Sequence, residues 1–260
     1  MSEEILWRNL RELPYFRAIL RAVESCLVQQ VELPEPVLDL GCGDGHFASV
    51  TYSDVLDVGL DPSIKPMREA QGRNAYKLLV QADGAISPFA AGTFSSALSN
   101  SVLEHIPQLD DVLHELSRVL RPGAPFVFTV PNPGYETMLS IPMISEKIGL
   151  RSLAEVYRGW FNRMSRTVNL FYEAEWERRL DGVGFDVLET RRYFSPSALK
   201  ALEWGHYFGA PCLLVRWFTG RWILVPAKWN LRLTERLVRR YVEEAPSDDG
   251  TYNFYLARKR

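Results

Sequence analysis

The sequence predicts an α/β protein: a doubly wound, seven-stranded, mostly parallel sheet with helical insertions. Three observations predict it. Short apolar runs that end in Gly, Pro, Asp or Asn alternate with helical patterns between residues 36 and 132. A glycine-dense turn, Gly41-Cys42-Gly43-Asp44-Gly45, joins the first of those runs to the helix after it. The chain has 260 residues, 47% of them hydrophobic and 24% charged, which is enough to bury a sizeable core. Strands and helices in alternation build a parallel sheet whose ligand lies at the carboxyl ends of the strands.

Each element follows from its pattern. Residues 3–30 read as helix with a break at Pro14, and Phe16, Ile19, Leu20, Val23 and Leu27 recur at helical spacing in the second segment. The first strand covers residues 37–40. Others follow at 54–60, ending in Asp61-Pro62-Ser63, and at 77–81, ending in Ala82-Asp83-Gly84. The fourth covers 95–99 and the fifth 125–130, which runs into Pro131-Asn132. Residues 109–120 form the clearest helix, with Val112, Leu113, Leu116 and Leu120 on one face and Arg121-Pro122-Gly123 as its stop. A helix at 173–180, a sixth strand at 185–193 and an antiparallel last strand at 251–258 complete the pattern. The expected organisation is N-terminal helices over 1–35, a core over 36–132 and an insertion over 133–170. The core returns over 171–195, a second insertion covers 196–250, and 251–260 is the final core strand.

Composition narrows the class. Thirty Lys and Arg stand against 32 Asp and Glu, a net charge of −2, so the molecule as a whole has no reason to seek a polyanion. Disorder, collagen-like repeats and a small disulfide scaffold are excluded. Cys26, Cys42 and Cys212 are odd in number and form no C-x-x-C pair, which reads as a reducing compartment with no structural metal. Met1-Ser2-Glu3-Glu4 is acidic where a signal peptide is basic, and Arg216 and Arg221 interrupt the most apolar stretch, 210–225. The expected location is cytoplasmic, with peripheral contact to the inner face of a membrane as the alternative.

The turn after the first strand carries the strongest signal. Its glycines let the backbone turn sharply and approach a ligand without Cβ clashes. A nicotinamide fingerprint, G-x-G-x-x-G, needs glycine at position 46, where His46 stands, and this argues against a nicotinamide oxidoreductase. Four further segments recur in order: Leu60-Asp61-Pro62-Ser63, Ala82-Asp83, Ser101-Val102-Leu103-Glu104-His105-Ile106 and Leu116-Ser117-Arg118-Val119-Leu120-Arg121-Pro122-Gly123. With Val37-Leu38-Asp39-Leu40 leading into the glycine turn, the chain resembles the class I S-adenosylmethionine-dependent methyltransferases, in their small-molecule, type 11-like branch.

That resemblance implies a Rossmann-like methyltransferase fold, S-adenosyl-L-methionine as cofactor and a set of ligands for it. Asp39 would accept from the ammonium of the methionine moiety. The backbone of Gly41, Cys42, Gly43 and Gly45 would make room for that moiety and the ribose. Asp61, 22 residues beyond Asp39 and followed by Pro62, would accept from the ribose hydroxyls. Ala82, Asp83 and Gly84 would meet the adenine, and Asn100 and Ser101 the floor beneath the sulfonium. Taken singly, an aspartate at a strand end also serves as a helix cap or Asx-turn. Cys42 reads as a small space-filler, since nothing basic sits beside it. Tyr15 and Phe16 read either as core or as aromatics over the cofactor.

Methyl transfer from a sulfonium is an in-line displacement, and alignment in a dry site supplies up to about 7–11 kcal/mol. A general base adds roughly 10²–10⁴-fold and matters for oxygen or carbon acceptors. His105 is the candidate base, with Glu104 beside it. Quinone-pathway O-methyltransferases carry Glu-x-x-Glu-His at this segment and hold a divalent metal; Ser101 replaces the first acid here, so no metal is expected. Asn100-Ser101-Val102-Leu103 lacks the Pro-Pro-aromatic run of amino-methylating nucleic-acid enzymes. The Pro211-Cys212 pair lies outside the context of a cytosine nucleophile. The expected acceptor is therefore a small hydrophobic or amphipathic molecule methylated on oxygen, with no nucleic acid. Alternatives are a membrane quinone or lipid-linked precursor methylated on carbon, and a catalytically inactive cofactor-binding module that regulates a partner.

The net charge hides a split. Residues 191–241 carry ten cations against Glu203 and Glu235, a net +8, which leaves −10 for the rest of the chain. Four of the seven tryptophans, Trp204, Trp217, Trp222 and Trp229, fall in the same window. Residues 230–244 read as an amphipathic helix with Leu233, Leu237, Val238, Tyr241 and Val242 on one side and arginines on the other. This is either a helix packed on the sheet with a solvated basic face, or a membrane-surface contact through residues 196–245. The first insertion, with Met138, Ile141, Met143, Ile144, Ile148, Tyr157, Trp160 and Phe161, reads as a helical cap with an apolar underside.

Overall fold

Prolines, glycines and a switching hydrophobic rhythm cut the chain into short strands and longer helices. The computed structural model describes residues 2–260, so Met1 of the predicted N-terminal helices lies outside the described residues. The elements begin with α1 (Ser2–Leu10), α2 (Tyr15–Val28), β1 (Val37–Leu40), α3 (His46–Thr51), β2 (Leu56–Asp61), α4 (Ile64–Arg73) and β3 (Tyr76–Gln81). Next come β4 (Ser96–Asn100), a 3-10 turn (Leu103–His105), α5 (Leu109–Val119), β5 (Pro125–Pro131), α6 (Gly134–Thr137), α7 (Ser140–Lys147) and α8 (Arg151–Ser165). The last are α9 (Glu173–Gly182), β6 (Phe185–Tyr193), α10 (Pro196–Phe208), α11 (Pro211–Thr219), α12 (Lys228–Val242) and β7 (Tyr252–Lys259). Most observed bounds lie within one or two residues of the expected ones. Helices fill both insertions.

The chain divides into two compact units. One holds Val28–Pro133, Asn162–Arg191 and Tyr252–Arg260, and contains most of the sheet. The sheet has the expected seven strands, in the order β3-β2-β1-β4-β5-β7-β6. The ladders from β3 through β5 are parallel, and β7 runs antiparallel to β5 with Phe128 opposite Tyr255. The chain winds outward from β1 to β3, then resumes on the other side at β4. The switch point between β1 and β4 opens a crevice at their carboxyl ends, which is where open α/β sheets bind ligands.

Side chains explain why this sheet holds. Leu38, Leu60, Phe126, Phe128 and Trp176 are fully buried in one cluster with Val112, Leu113 and Leu116 of α5. The Phe128 ring stacks on Tyr255 at 4.7 Å between centroids, so the antiparallel strand is fastened by its own side chains. Each such side chain contributes roughly 1.5–3 kcal/mol on burial.

The other unit gathers the chain up to Leu27 with Gly134–Phe161 and Arg192–Thr251, and is helical. Phe16 belongs to its core. The ring lies 4.4 Å from His206, and a Cβ on Gly205 would stand 2.2 Å from its own Cβ. The N-terminus of α7 is capped across the unit by the buried Glu203. One of its oxygens accepts from the Ser140 N–H and hydroxyl, both at 2.6 Å, and the other from the Ile141 N–H at 3.2 Å.

The structure departs from two expectations. In the first insertion Tyr157 and Phe161 are buried, whereas Ile144, Ile148 and Trp160 are exposed, so the apolar residues do not form a single underside. In α12 the buried residues are Leu231, Val238 and Val242; Leu233 and Leu237, expected beside Val238, are exposed. At about 100° per residue, Leu233 and Leu237 sit on the far side of the helix from the buried three.

Candidate active site

The tip of β1 sets the site. Asp39 is only 3% exposed, and the Tyr76 hydroxyl donates to its Oδ2 at 2.6 Å. This contact spans a strand. Asp39 is in register with Gly59 of β2, and Gly59 with Leu79 of β3. A Cβ at Gly59 would stand 3.0 Å from the Tyr76 ring, from Leu79 and from the Cys42 sulfur, so the missing side chain is what admits the tyrosine. Burial pushes the Asp39 carboxyl up to about 7, against the pull of the Tyr76 hydroxyl, and the Asp61 charge adds to the rise. The Tyr52 phenol is held up by burial and by Asp39, and its hydroxyl is buried without a hydrogen-bond partner among the described residues. Burial, Asp39 and Asp61 likewise raise the Cys42 thiol, so Cys42 stays protonated and acts as filler, not nucleophile.

The three glycines of the turn all have positive φ but face different surroundings. A Cβ on Gly41 would lie 2.4 Å from a Val102 methyl, and one on Gly45 would meet Ala70 at 3.1 Å. One on Gly43 would meet nothing within 4 Å. Gly41 and Gly45 are thus required by the protein's own packing, while Gly43 presents bare backbone to open space. The Gly43 N–H donates to Asp61 Oδ2 at 3.0 Å, and the Ser63 N–H to Oδ1 at 2.8 Å. Asp61 is thereby held against the turn, with Pro62 next to it.

Other expected ligands divide by environment. Asp83 is exposed, and its Oδ1 accepts from the Ala85 N–H at 2.9 Å, an Asx-turn between Ala82 and Gly84 and the chain beyond. Asn100, at the end of β4, is buried and accepts from the Thr129 hydroxyl at 2.9 Å. Ser101 turns into the left-handed region with φ 50, held there by its N–H to the Thr129 carbonyl and hydroxyl. A non-glycine residue in this region is strained, and such strain gathers at functional sites.

His105 ends the 3-10 turn that follows. Its Nδ1 lies 3.0 Å from the Arg166 carbonyl oxygen, which can only accept, so Nδ1 carries the proton and Nε2 is the unprotonated nitrogen of the neutral ring. Nε2 is 3.7 Å from an oxygen of the buried Glu104. Asn169 clamps the turn, donating to the Leu103 and Ile106 carbonyls at 2.8 and 2.7 Å. Tyr76, Gly59, Thr129 and Asn169 were not singled out in the sequence. Only Gly59 leaves a local signal, as a glycine inside a strand.

A family model described as a methyltransferase domain matches residues 6–190, well over half of the chain. The chain belongs to the S-adenosylmethionine-dependent methyltransferase family. Among curated relatives, this methyltransferase is similar to the malonyl-(acyl-carrier protein) O-methyltransferase of Legionella pneumophila, 33% identical over 38% of this chain and 37% of that one. The enzyme of the same description from Pseudescherichia vulneris is 29% identical over 65% of this chain and 72% of that one. Among solved structures, phosphoethanolamine N-methyltransferase 2 of Haemonchus contortus, in complex with S-adenosyl-L-methionine, aligns with a TM-score of 0.58 at 16% identity. That alignment covers 91% of this chain and 52% of that one and speaks to the fold alone.

The methyltransferase's own geometry fits the family's cofactor. Asp39 is a buried carboxylate acted on by a phenol and a second carboxylate, a setting that an ammonium group would relieve. The open side of Gly43 leaves room for a ligand beside the turn.

Proposed function

We propose that this methyltransferase moves a methyl group to an oxygen of a small, hydrophobic or amphipathic acceptor. The single observation that carries the cofactor assignment is the buried, proton-hungry Asp39 beside the open backbone of Gly43. Asp39 would hold the ammonium of S-adenosylmethionine, Asp61 and Pro62 the ribose, Ala82, Asp83 and Gly84 the adenine, and Asn100 and Ser101 the floor near the sulfur. When bound, the cofactor supplies an electrophilic methyl group on a sulfonium. The chain's residues orient it: Tyr76 and burial fix Asp39, two backbone amides fix Asp61, and Thr129 fixes Asn100 and Ser101.

Oxygen as the accepting atom is supported by the O-methyltransferase relatives and by the His105 tautomer. With Nδ1–H committed to the Arg166 carbonyl, Nε2 is able to take a hydroxyl proton. An acceptor carboxylate, by contrast, is already deprotonated and needs no base. Purified chain incubated with S-adenosylmethionine and a panel of carboxylates, thioester-linked acids, phenols and quinols, with S-adenosylhomocysteine release as readout, tests the reaction. His105→Ala then separates the acceptor classes: a loss of roughly 10²-fold or more in kcat marks a hydroxyl acceptor. Turnover within a few-fold of the unmodified chain removes His105 as the base and favours a carboxylate. No release with any acceptor would overturn methyl transfer.

A further inference from the structure

We propose that α11 and the outer face of α12 form a docking surface for an anionic lipid bilayer. Helix α11 runs PCLLVRWFT and none of its nine residues is buried. Leu213, Leu214, Trp217 and Phe218 are all exposed, Trp217 at 77% and Phe218 at 76%. Helix α12 carries two apolar stripes. Leu231, Val238 and Val242 are buried, while Trp229, Leu233 and Leu237 are exposed and lie roughly opposite them at about 100° per residue. A helix that serves only to cover a core needs one stripe. The second calls for another occupant.

Charge identifies that occupant. Arg216, Arg221, Lys228, Arg232, Arg236 and Arg240 are exposed in the same segment, and Arg216 stacks over Trp222 at 4.4 Å from the ring centroid. Glu235 is the single carboxylate between residues 208 and 242, and it is engaged by Arg239, which also pairs with Glu3. Tryptophan, phenylalanine and leucine flanked by arginine match a bilayer interface, where rings sink to headgroup depth and cations meet anionic lipid. An acidic protein would satisfy the cations. It would also need a pocket shaped for Leu213, Leu214, Trp217 and Phe218 together, a demand a fluid surface does not make. Among the described residues no helix is long and apolar enough to cross the membrane, so the segment would lie on it. A docked enzyme would reach amphipathic acceptors held in the bilayer; that consequence rests on the methyl-transfer reading, while docking itself does not.

The test is co-sedimentation of the full chain with vesicles of phosphatidylcholine alone, or with about 30% phosphatidylglycerol, at low and high salt. Each cation near an anionic surface is worth about fivefold in partitioning. The expected result is retention on anionic vesicles, at least tenfold less on neutral ones, and weakening by salt. Two variants, Trp217→Ser/Phe218→Ser and Arg232→Gln/Arg236→Gln, are each expected to lower partitioning at least tenfold with an unchanged thermal midpoint. The second pair keeps the test open if the first disturbs folding. Equal binding to both vesicle types, or full binding by both variants, overturns the proposal. So does a chain that ignores vesicles but binds an acidic carrier protein, or one whose Trp217→Ser/Phe218→Ser variant turns a dimer into a monomer without vesicle binding by either form. Turnover on a soluble acceptor is read in the same preparations. A chain that partitions but releases no S-adenosylhomocysteine overturns methyl transfer and upholds docking, and one that turns over but stays in the supernatant does the reverse.

Discussion

Replacing Tyr76 with phenylalanine removes one hydroxyl and, with it, the 2.6 Å bond that stabilises ionised Asp39. Hydrogen bonds to charged groups contribute about 1.5–3 kcal/mol, and one pKa unit corresponds to about 1.4 kcal/mol, so the carboxyl should rise by about 1–2 units from its value of about 7. The consequences for stability and for binding have opposite signs. Asp39 is raised above its unfolded value, so the stability it contributes is fully present below about pH 4 and is lost as pH rises through about 7. In Tyr76→Phe that loss extends to higher pH and deepens. The variant should therefore be less stable than the unmodified chain by about 1.5–3 kcal/mol at pH 9, and by clearly less at pH 5.5. Cofactor binding runs the other way, because an ammonium selects the ionised carboxylate: affinity should climb about tenfold per pH unit up to about pH 7, then level off. Calorimetric titration between pH 5.5 and 8 reads that break, which in Tyr76→Phe should move out of the window at its upper end. Equal destabilisation at both pH values, or a pH-independent affinity in both proteins, would refute the assignment of Asp39 as the ammonium partner.

Three further variants probe the same region. Gly43→Ala should fold, at a cost of about 1–2 kcal/mol for its left-handed backbone, yet lose at least tenfold in cofactor affinity, because the new Cβ occupies ligand clearance. Gly41→Ala, two residues away, should instead lose folded protein, since its Cβ would stand 2.4 Å from Val102; thermal melts and cofactor titrations of the pair separate the two roles. Asn169→Ala removes two bonds to the His105 turn, which should cost about 1–3 kcal/mol of stability. If His105 is the base, kcat should fall while KM for the cofactor holds. A kcat that tracks only the loss of folded enzyme would count against that positioning role.

Much of this protein is legible in its sequence. A strand that ends in Asp39 and runs into G-x-G-x-G needs the left-handed turns seen at Gly41, Gly43 and Gly45, because glycine adopts them without a Cβ penalty. The alternation of strands and helices also follows from local pattern, and so does the expectation of a ligand at the carboxyl ends of the strands. These are properties of spacing, and spacing is written along the chain.

Through-space relations had to wait for the tertiary structure. Tyr76 lies 37 residues from Asp39, and only the register of three strands over the bare Gly59 brings phenol to carboxylate. Asn169 meets the His105 turn from 63 and 66 residues away, so no local pattern announces it. The two stripes of α12 read as one from the sequence, since hydropathy records which residues are apolar but not which of them a neighbour covers. Sequence by itself determined the elements, their order along the chain and the left-handed turn after β1, all set by local sterics and periodicity. Tertiary packing alone decided which carboxylate is buried enough to want a cation and which apolar face is left to meet something else, because burial is a property of the assembled fold.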